Sequence, residues 1–334
     1  MRFQSEACAW LGSPLYADLL GRADADLLAG GSTWEVLRGH EDDPAESALA
    51  LRLMGAVNRL VLEGAAPELA DLYADDGRDP HATWDAFAKL IAGRVEQVRQ
   101  LVTRPVQTNE VGRCAALLPG FLAVAGTTGL PLRLLELGSS AGLNLRWDRY
   151  SYEAAGFSWG SPESPLTIAF ELDGEPPSAD AVTVAQRWGC DPSPLDPATE
   201  EGRLTLLTYV WPDQRRRVER TLAAIEAARA TPVRVDRAGA SEWIDERLAE
   251  ASPGVATVVF HSIVMQYLSA EERGAVESRL REAGARATAA APLAWLRLEP
   301  AGGVADLRLT VWPGGKEARL GAAGYHGDPV HLRR

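Results

Sequence analysis

Cysteine is scarce in this chain: Cys8, Cys114 and Cys190 are the only thiols in 334 residues. Far apart and odd in number, they argue against a disulfide framework and a zinc site, and they suit a reducing compartment. Positive charge is also in deficit. The 34 Lys and Arg against 46 Asp and Glu leave a net charge of −12, whereas a polynucleotide or an anionic bilayer needs clustered basic side chains. The local exception, Arg215-Arg216-Arg217 followed by Arg220, reads as the solvated face of a helix, with phosphate binding as its alternative. No apolar run reaches transmembrane length, and the opening Met1-Arg-Phe-Gln-Ser-Glu6 is too polar for a secretory leader. Cytoplasmic residence is the expectation. There is no internal repeat and no low-complexity block.

What remains is an ordinary globular composition, 46% hydrophobic and 24% charged, in a chain long enough for one large or two modest domains. Residues 1–128 read as a helical cap domain. Ser13-Pro14 is an N-cap followed by proline in the first turn, and Ser32 with Glu35 fits a capping box. Asp43-Pro44-Ala-Glu46 repeats the start signal. Leu49, Leu53, Ala56, Val57, Leu60 and Val61 follow at helical spacing up to Gly64. Trp84, Phe87, Leu90, Ile91, Val95, Val98 and Leu101 predict one long amphipathic helix. A further helix is expected from about Glu110 to Ala125, with Pro119 as a kink point.

After Gly129-Leu-Pro131 the pattern changes, and residues 129–334 read as an α/β domain. Strands are expected at Leu132–Leu137, Leu166–Leu172, Val233–Val235, Ala256–His261, Leu293–Leu298 and Ala305–Trp312, with a last one near Ala318–Ala322 or Val330–Leu332. Helices are expected at Asn144–Tyr150, Gln214–Ala230, Ser241–Ala251 and Ala270–Ala283, the last stopped by Gly284. Such alternation means a mainly parallel sheet covered on both faces. Consecutive strands at the C-terminal end predict an antiparallel edge. The Pro-, Gly- and Asp-rich stretch from about Ser158 to Glu201 predicts a long excursion.

The most informative stretch is Leu132-Arg-Leu-Leu-Glu136-Leu-Gly138-Ser139-Ser140-Ala-Gly142-Leu-Asn144-Leu145. A buried strand ends in an acidic residue and a small-residue turn hands over to the next segment, the place where an open α/β sheet receives a ligand. Backbone N–H groups at such a turn favour carboxylate or phosphate, and Glu136 would hold a cationic or hydroxyl group beside it. The alternative is a plain strand-to-helix connection.

This segment resembles motif I of the class I S-adenosylmethionine-dependent methyltransferases, with Ser140 in place of the middle glycine. A second resemblance covers nearly the whole chain. Gly12-Ser-Pro-Leu-Tyr16, Arg104-Pro-Val-Gln107-Thr108-Asn109-Glu110-Val-Gly-Arg113, Gly138 to Leu145 with Asp148-Arg149-Tyr150, Val210-Trp211-Pro212, and Val259-Phe-His261 with Tyr267-Leu268 are similar to signature blocks of a bacterial domain family of unknown function that is common in actinobacteria. That family is assigned a methyltransferase-like fold. The resemblances imply a Rossmann-like, seven-stranded sheet and S-adenosylmethionine as donor. They imply carboxylates after the second strand, for which Glu171 and Asp173 are candidates, and after the third, where Asp236 or Glu242 stands because Ala240 occupies the usual acidic place.

Gln107, Thr108, Asn109, Glu110 and Arg113 place amides, a hydroxyl, a carboxylate and a guanidinium at a helix entry. Glu110 and Arg113 share a face and would pair, turning Arg113 toward an anionic substrate group. The alternative is a cap by Thr108 or Asn109 plus a surface ion pair. His261 closes an expected strand; it reads as a general base, with Glu110 as the other candidate for that role, or as a buried histidine fixed by a carbonyl. Tyr267 is a second polar reach into the same cleft or packing. Asn144 is a ligand contact or a helix start, and Trp211 an aromatic wall for a substrate. The expected function is a methyltransferase-like enzyme acting on a small molecule. Two alternatives are a same-fold enzyme performing elimination or ring closure on an anionic metabolite and a non-catalytic protein that binds a partner or itself.

Overall fold

Serine and aspartate before proline set the first helices. In the computed structural model, which describes residues 1–44, 47–175, 177 and 181–333, the Ser13 hydroxyl accepts from the Tyr16 N–H and opens the helix Pro14–Leu28. Asp79 opens Pro80–Gly93 in the same way. The chain divides into two units, Met1–Thr108 with Thr199–Glu219, and Asn109–Ala198 with Arg220–Arg334.

The first unit is helical: Arg2–Trp10, Pro14–Leu28, Ser32–Leu37, Leu49–Leu62, Pro67–Ala74, Pro80–Gly93, Val95–Val102 and Glu200–Thr208. Leu19, Leu53, Met54, Leu60, Phe87 and Val98 are buried in its core, and Trp211 joins them. Two local expectations are corrected, and a third lies partly outside the described residues. Ser32 is not the cap of its helix; Gly31 is, and the Asp26 carboxylate accepts from the Thr33 N–H at 2.7 Å. The start signal at Asp43–Glu46 partly falls on Ala45 and Glu46, which lie outside the described residues, and the helix begins at Leu49 after a left-handed Ala48 (φ 53°). The long helix expected from Trp84 to Leu101 is two helices. Arg94 leaves the helical region (φ −138°, ψ 35°) directly after Gly93, the residue with least helical preference after proline.

One buried polar side chain completes this unit. The helix Glu200–Thr208 ends in carbonyls with no partner inside the helix. The Asn58 amide, 3% exposed, supplies one: it donates to the Thr208 carbonyl at 2.9 Å and to those of Leu207 and Val210 at 3.4 Å.

The second unit carries strands β1 (Leu132–Leu137), β2 (Ser151–Ala154), β3 (Phe157–Trp159), β4 (Thr167–Ala169), β5 (Leu172–Asp173), β6 (Val184–Asp191), β7 (Arg234–Arg237), β8 (Ala256–Ser262), β9 (Leu293–Ala301), β10 (Val304–Trp312), β11 (Lys316–Ala323) and β12 (Val330–Leu332). Nine of them form one sheet in the order β5-β12-β11-β10-β9-β8-β1-β6-β7, and β3-β2-β4 form a small second sheet. The block β9-β8-β1-β6-β7 is parallel throughout. Numbered among themselves, its strands lie 3-2-1-4-5 from β7 to β9, so the winding reverses between β1 and β8, the switch point of a doubly wound sheet. Beyond β9 the strands β10, β11 and β12 are antiparallel.

A mixed α/β fold with a large central sheet therefore stands, but the expected seven strands are nine. Both candidate last strands form, and β5 extends the far edge. The strand expected at Leu166–Leu172 is not one element: β4 belongs to the small sheet and β5 to that edge. The place beside β1 is taken instead by β6, inside the stretch read as an excursion. The helix Arg113–Thr128 passes through Pro119 and packs on β8, β9, β10 and β11. Asn144–Arg149 is a 3₁₀ turn, not an α-helix. Ala270–Arg286 runs past Gly284, which is small for packing: a Cβ there would stand 2.5 Å from the Trp312 ring.

Replacing Asn58 with leucine should lower stability by about 1–3 kcal/mol, because it leaves buried carbonyls without a donor. Urea unfolding followed by tryptophan fluorescence reads the change, and an unchanged midpoint and slope would contradict it.

Candidate functional site

Strand β1 is buried on every residue. It ends in a bend that only a run of small residues can make, with positive φ at Gly138 (67°), Ser140 (52°) and Gly142 (66°). The bend's N–H groups are turned onto the protein itself. Ser139 N–H donates to the Cys190 carbonyl at 3.0 Å and Gly142 N–H to the Ser139 carbonyl at 2.7 Å. Ser140 N–H donates to the Asp191 carboxylate and Leu143 N–H to the Asn109 side-chain oxygen, each at 2.9 Å. Four donors expected to face an anion thus have acceptors in the fold. The Val264 side chain leans on Gly138, where a Cβ would come within 2.6 Å of it.

Carboxylates gather around this bend. Asp191 closes β6 and is buried; its second oxygen accepts from Ser193 N–H at 2.8 Å. Sequence reasoning missed it because Gln186, Arg187 and Trp188 break the apolar run of β6; the signal was the short Gly189-Cys190-Asp191 ending, which repeats Glu136-Leu137-Gly138 in chemistry if not in order. Glu136 is 2% exposed. Burial drives its carboxyl well above the ordinary range, a hydrogen bond with Asn144 opposes this, and Asp191 adds to the rise. One of its oxygens, Oε2, has no partner in the fold. Asn144, also buried, accepts from the Cys114 thiol at 3.3 Å.

The block before the helix Arg113–Thr128 is partly assembled here. Gly112, not Thr108 or Asn109, stands at its N-cap. The Glu110 carboxylate accepts from Gly112 N–H at 3.0 Å and lies 3.4 Å from the Arg220 guanidinium. Arg220 is thus not part of a solvated face. Arg113 donates to the backbone carbonyls of Tyr325 (3.0 Å) and Ser262 (2.9 Å), tying the helix start to the end of β8. Gln107 is half-buried and Thr108 exposed in the first unit, and Trp211 sits in that unit's core 5.9 Å from the Tyr16 ring.

His261 lies in β8 with 0% exposure. Trp295 Nε1–H donates to its Nε2 at 3.0 Å, and its Nδ1 is 2.6 Å from Glu299 Oε1. Since the indole can only donate, Nε2 is the acceptor and Nδ1 carries the proton given to Glu299. The basic lone pair that a general base needs therefore faces Trp295, and His261 is a structural member of the sheet. Tyr267 is 60% exposed.

Two sequence candidates sit elsewhere. Glu171 lies beside β5, with β12, β11, β10, β9 and β8 between that strand and β1; its N–H donates to Asp328 at 2.8 Å. Asp236 is in β7, where its carboxylate accepts from Arg234 (2.6 Å), from Trp243 (2.9 Å) and from Arg247. Burial raises the Asp236 carboxyl, and these donors together bring it below the usual carboxylate range. Among the described residues no helix is long and apolar enough to cross a membrane, and no three His, Cys, Asp or Glu side chains are arranged to hold a metal ion.

The raised Glu136 carboxyl has a stability consequence. Between the unfolded and folded pKa the native state binds the extra proton, so stability falls as pH rises through that window. Glu136→Gln removes this loss. Its melting temperature should gain on the wild type as pH is raised from 5 to 8, and parallel curves would rule the linkage out.

The family comparison agrees with the whole-chain reading. A bacterial family described as "Uncharacterized protein conserved in bacteria (DUF2332)" matches over residues 1–331. No curated protein and no solved structure matches the chain. With all but its last three residues inside that match, the chain belongs to the DUF2332 family.

Proposed function

We propose that this protein binds S-adenosylmethionine at the carboxyl edge of its parallel strands and methylates a small molecule. The observation that carries the reading is the polarity of that edge. The donors of the bend are engaged by Asp191, Asn109 and backbone carbonyls. What the edge offers instead are acceptors, Glu136 and Asp191 at the ends of adjacent strands β1 and β6. A dinucleotide needs free N–H groups for its pyrophosphate. A ligand with an ammonium, a sulfonium and ribose hydroxyls, but no phosphate, needs acceptors. Glu136 Oε2, buried and without a partner, fits a group that donates.

When bound, the cofactor supplies an electrophilic methyl group. Asp191 would receive the ribose hydroxyls and Glu136 the ammonium. With the His261 lone pair on Trp295, the protein's contribution is alignment and exclusion of water. Burial pushes the Glu136 carboxyl up, so proton release accompanies acceptance of a cation and affinity rises with pH. The acidic surface favours a small acceptor over a polynucleotide. A second reading, a same-fold enzyme that no longer methylates, draws on Asp236, whose carboxylate is held by Arg234, Arg247 and Trp243 and so is not left over for an adenine amino group.

Calorimetric titration with S-adenosylmethionine and S-adenosylhomocysteine, with NADH as control, tests this. Saturable binding of the adenosyl compounds is expected, weakened about tenfold or more in Asp191→Asn by loss of a charge-assisted bond and strengthened between pH 6 and 8. Binding of NADH alone, or of none of the three, would refute it.

A further inference from the structure

The turn that follows β8 is held by more groups than a connection requires. Ile263 has φ 55°, a left-handed conformation that β-branched side chains avoid and that persists only when the surroundings impose it. Its N–H donates to the Leu298 carbonyl at 2.8 Å. Arg113 donates to the preceding Ser262 carbonyl at 2.9 Å. From the other side, Arg273 donates to the carbonyls of Met265 (3.1 Å) and Leu268 (2.6 Å).

Glu299 is the centre of this arrangement. Its Oε1 accepts from His261 Nδ1–H at 2.6 Å, from Val264 N–H at 3.0 Å and, more weakly, from Met265 N–H at 3.4 Å. Burial alone would raise its carboxyl, but the hydrogen bond and electrostatic contact with His261, together with the Val264 and Met265 N–H groups, hold it below the ordinary range. Its other oxygen, Oε2, is buried and has no hydrogen-bond partner. Among the described residues no Lys or Arg pairs with it, and its one ion-pair partner, His261, sits on Oε1. A buried carboxylate oxygen left without a partner is costly unless a ligand or water completes it. It stands one hydrogen bond from Val264, whose side chain rests on Gly138 of the bend.

We propose that Glu299 Oε2 is the recognition point for an amine on the substrate, with His261 and the Ile263–Met265 turn as its positioning shell. This names an amine-bearing small molecule as the substrate class, and it rests on the reading of the carboxyl edge of the parallel strands as the ligand site. Trp295 fixes the His261 tautomer, His261 and two backbone N–H groups occupy Oε1, and the remaining charge is directed to Oε2. An ammonium or amine N–H makes a charge-assisted bond there that an alcohol of the same shape makes only weakly.

Ligand-detected NMR with benzylamine and its uncharged counterpart benzyl alcohol tests the assignment. The wild type is expected to prefer benzylamine about tenfold or more, the weight of a hydrogen bond to a charged group, and Glu299→Gln to abolish the preference. Equal affinity for the two probes in the wild type overturns the proposal even if the variant does not fold, and so does a preference that survives in folded Glu299→Gln. S-adenosylhomocysteine titrated into the same samples separates the two claims. Retained nucleoside binding without amine preference defeats the recognition role alone; amine preference without nucleoside binding defeats the methyltransferase reading alone.

Discussion

Strand β1 is buried along its whole length between β6 and β8, and the site follows from that burial. A strand enclosed on both faces has no solvent for its polar groups, so each must be met by its neighbours. At the end of β1 this requirement produces the bend. The N–H groups of Ser139 and Ser140 go to Cys190 and Asp191, both at the end of β6, and the N–H of Leu143 goes to Asn109. The bend is shaped by what β6 and the approach to the helix Arg113–Thr128 present to it, more than by its own glycines.

The same requirement decides the electrostatics. Two carboxylates at this edge have opposite fates because of their donors. Glu136 has Asn144 and little else, so burial dominates and its carboxyl is pushed up. Glu299 has His261 and the backbone of the Val264–Met265 turn, so these contacts dominate and its carboxyl is held down. Side chains of the same type, both largely removed from water, are thereby shifted in opposite directions. On the proposed reading, an edge with these two acceptors, one in β1 and one two strands away in β9, suits a ligand carrying positive charge and hydroxyls better than one carrying phosphate.

Much of the fold was legible. Start signals such as Ser13-Pro14, the helical spacing from Leu49 to Val61, and the parallel strands at Leu132, Val233, Ala256 and Leu293 all rest on interactions within a few residues. What misled was pattern without context. Gly284 reads as a helix stop but is small because Trp312 packs against it. The run from Trp84 to Leu101 keeps its apolar spacing across a break at Arg94. Strand β6 was hidden because its first half carries Gln186 and Arg187, and with it went Asp191. In the site, Glu136, the Gly138–Gly142 bend, Asn109 and Asn144 were identified from sequence and are brought together. Glu171 lies at the opposite edge. His261 was singled out, but its partners Trp295 and Glu299 lie more than thirty residues on, in β9.

By itself the sequence determined the succession of elements and the glycine-bounded turn after a buried strand. These depend on local propensity, hydrophobic period and composition, which a chain carries whatever its fold. Only the tertiary structure decided which strand lies beside β1, which way each buried carboxyl is shifted and which way the lone pair of His261 faces. Each is set by burial and by hydrogen-bond donors from distant segments, and a donor's identity can be read from a sequence only when its neighbour in space is also its neighbour in the chain.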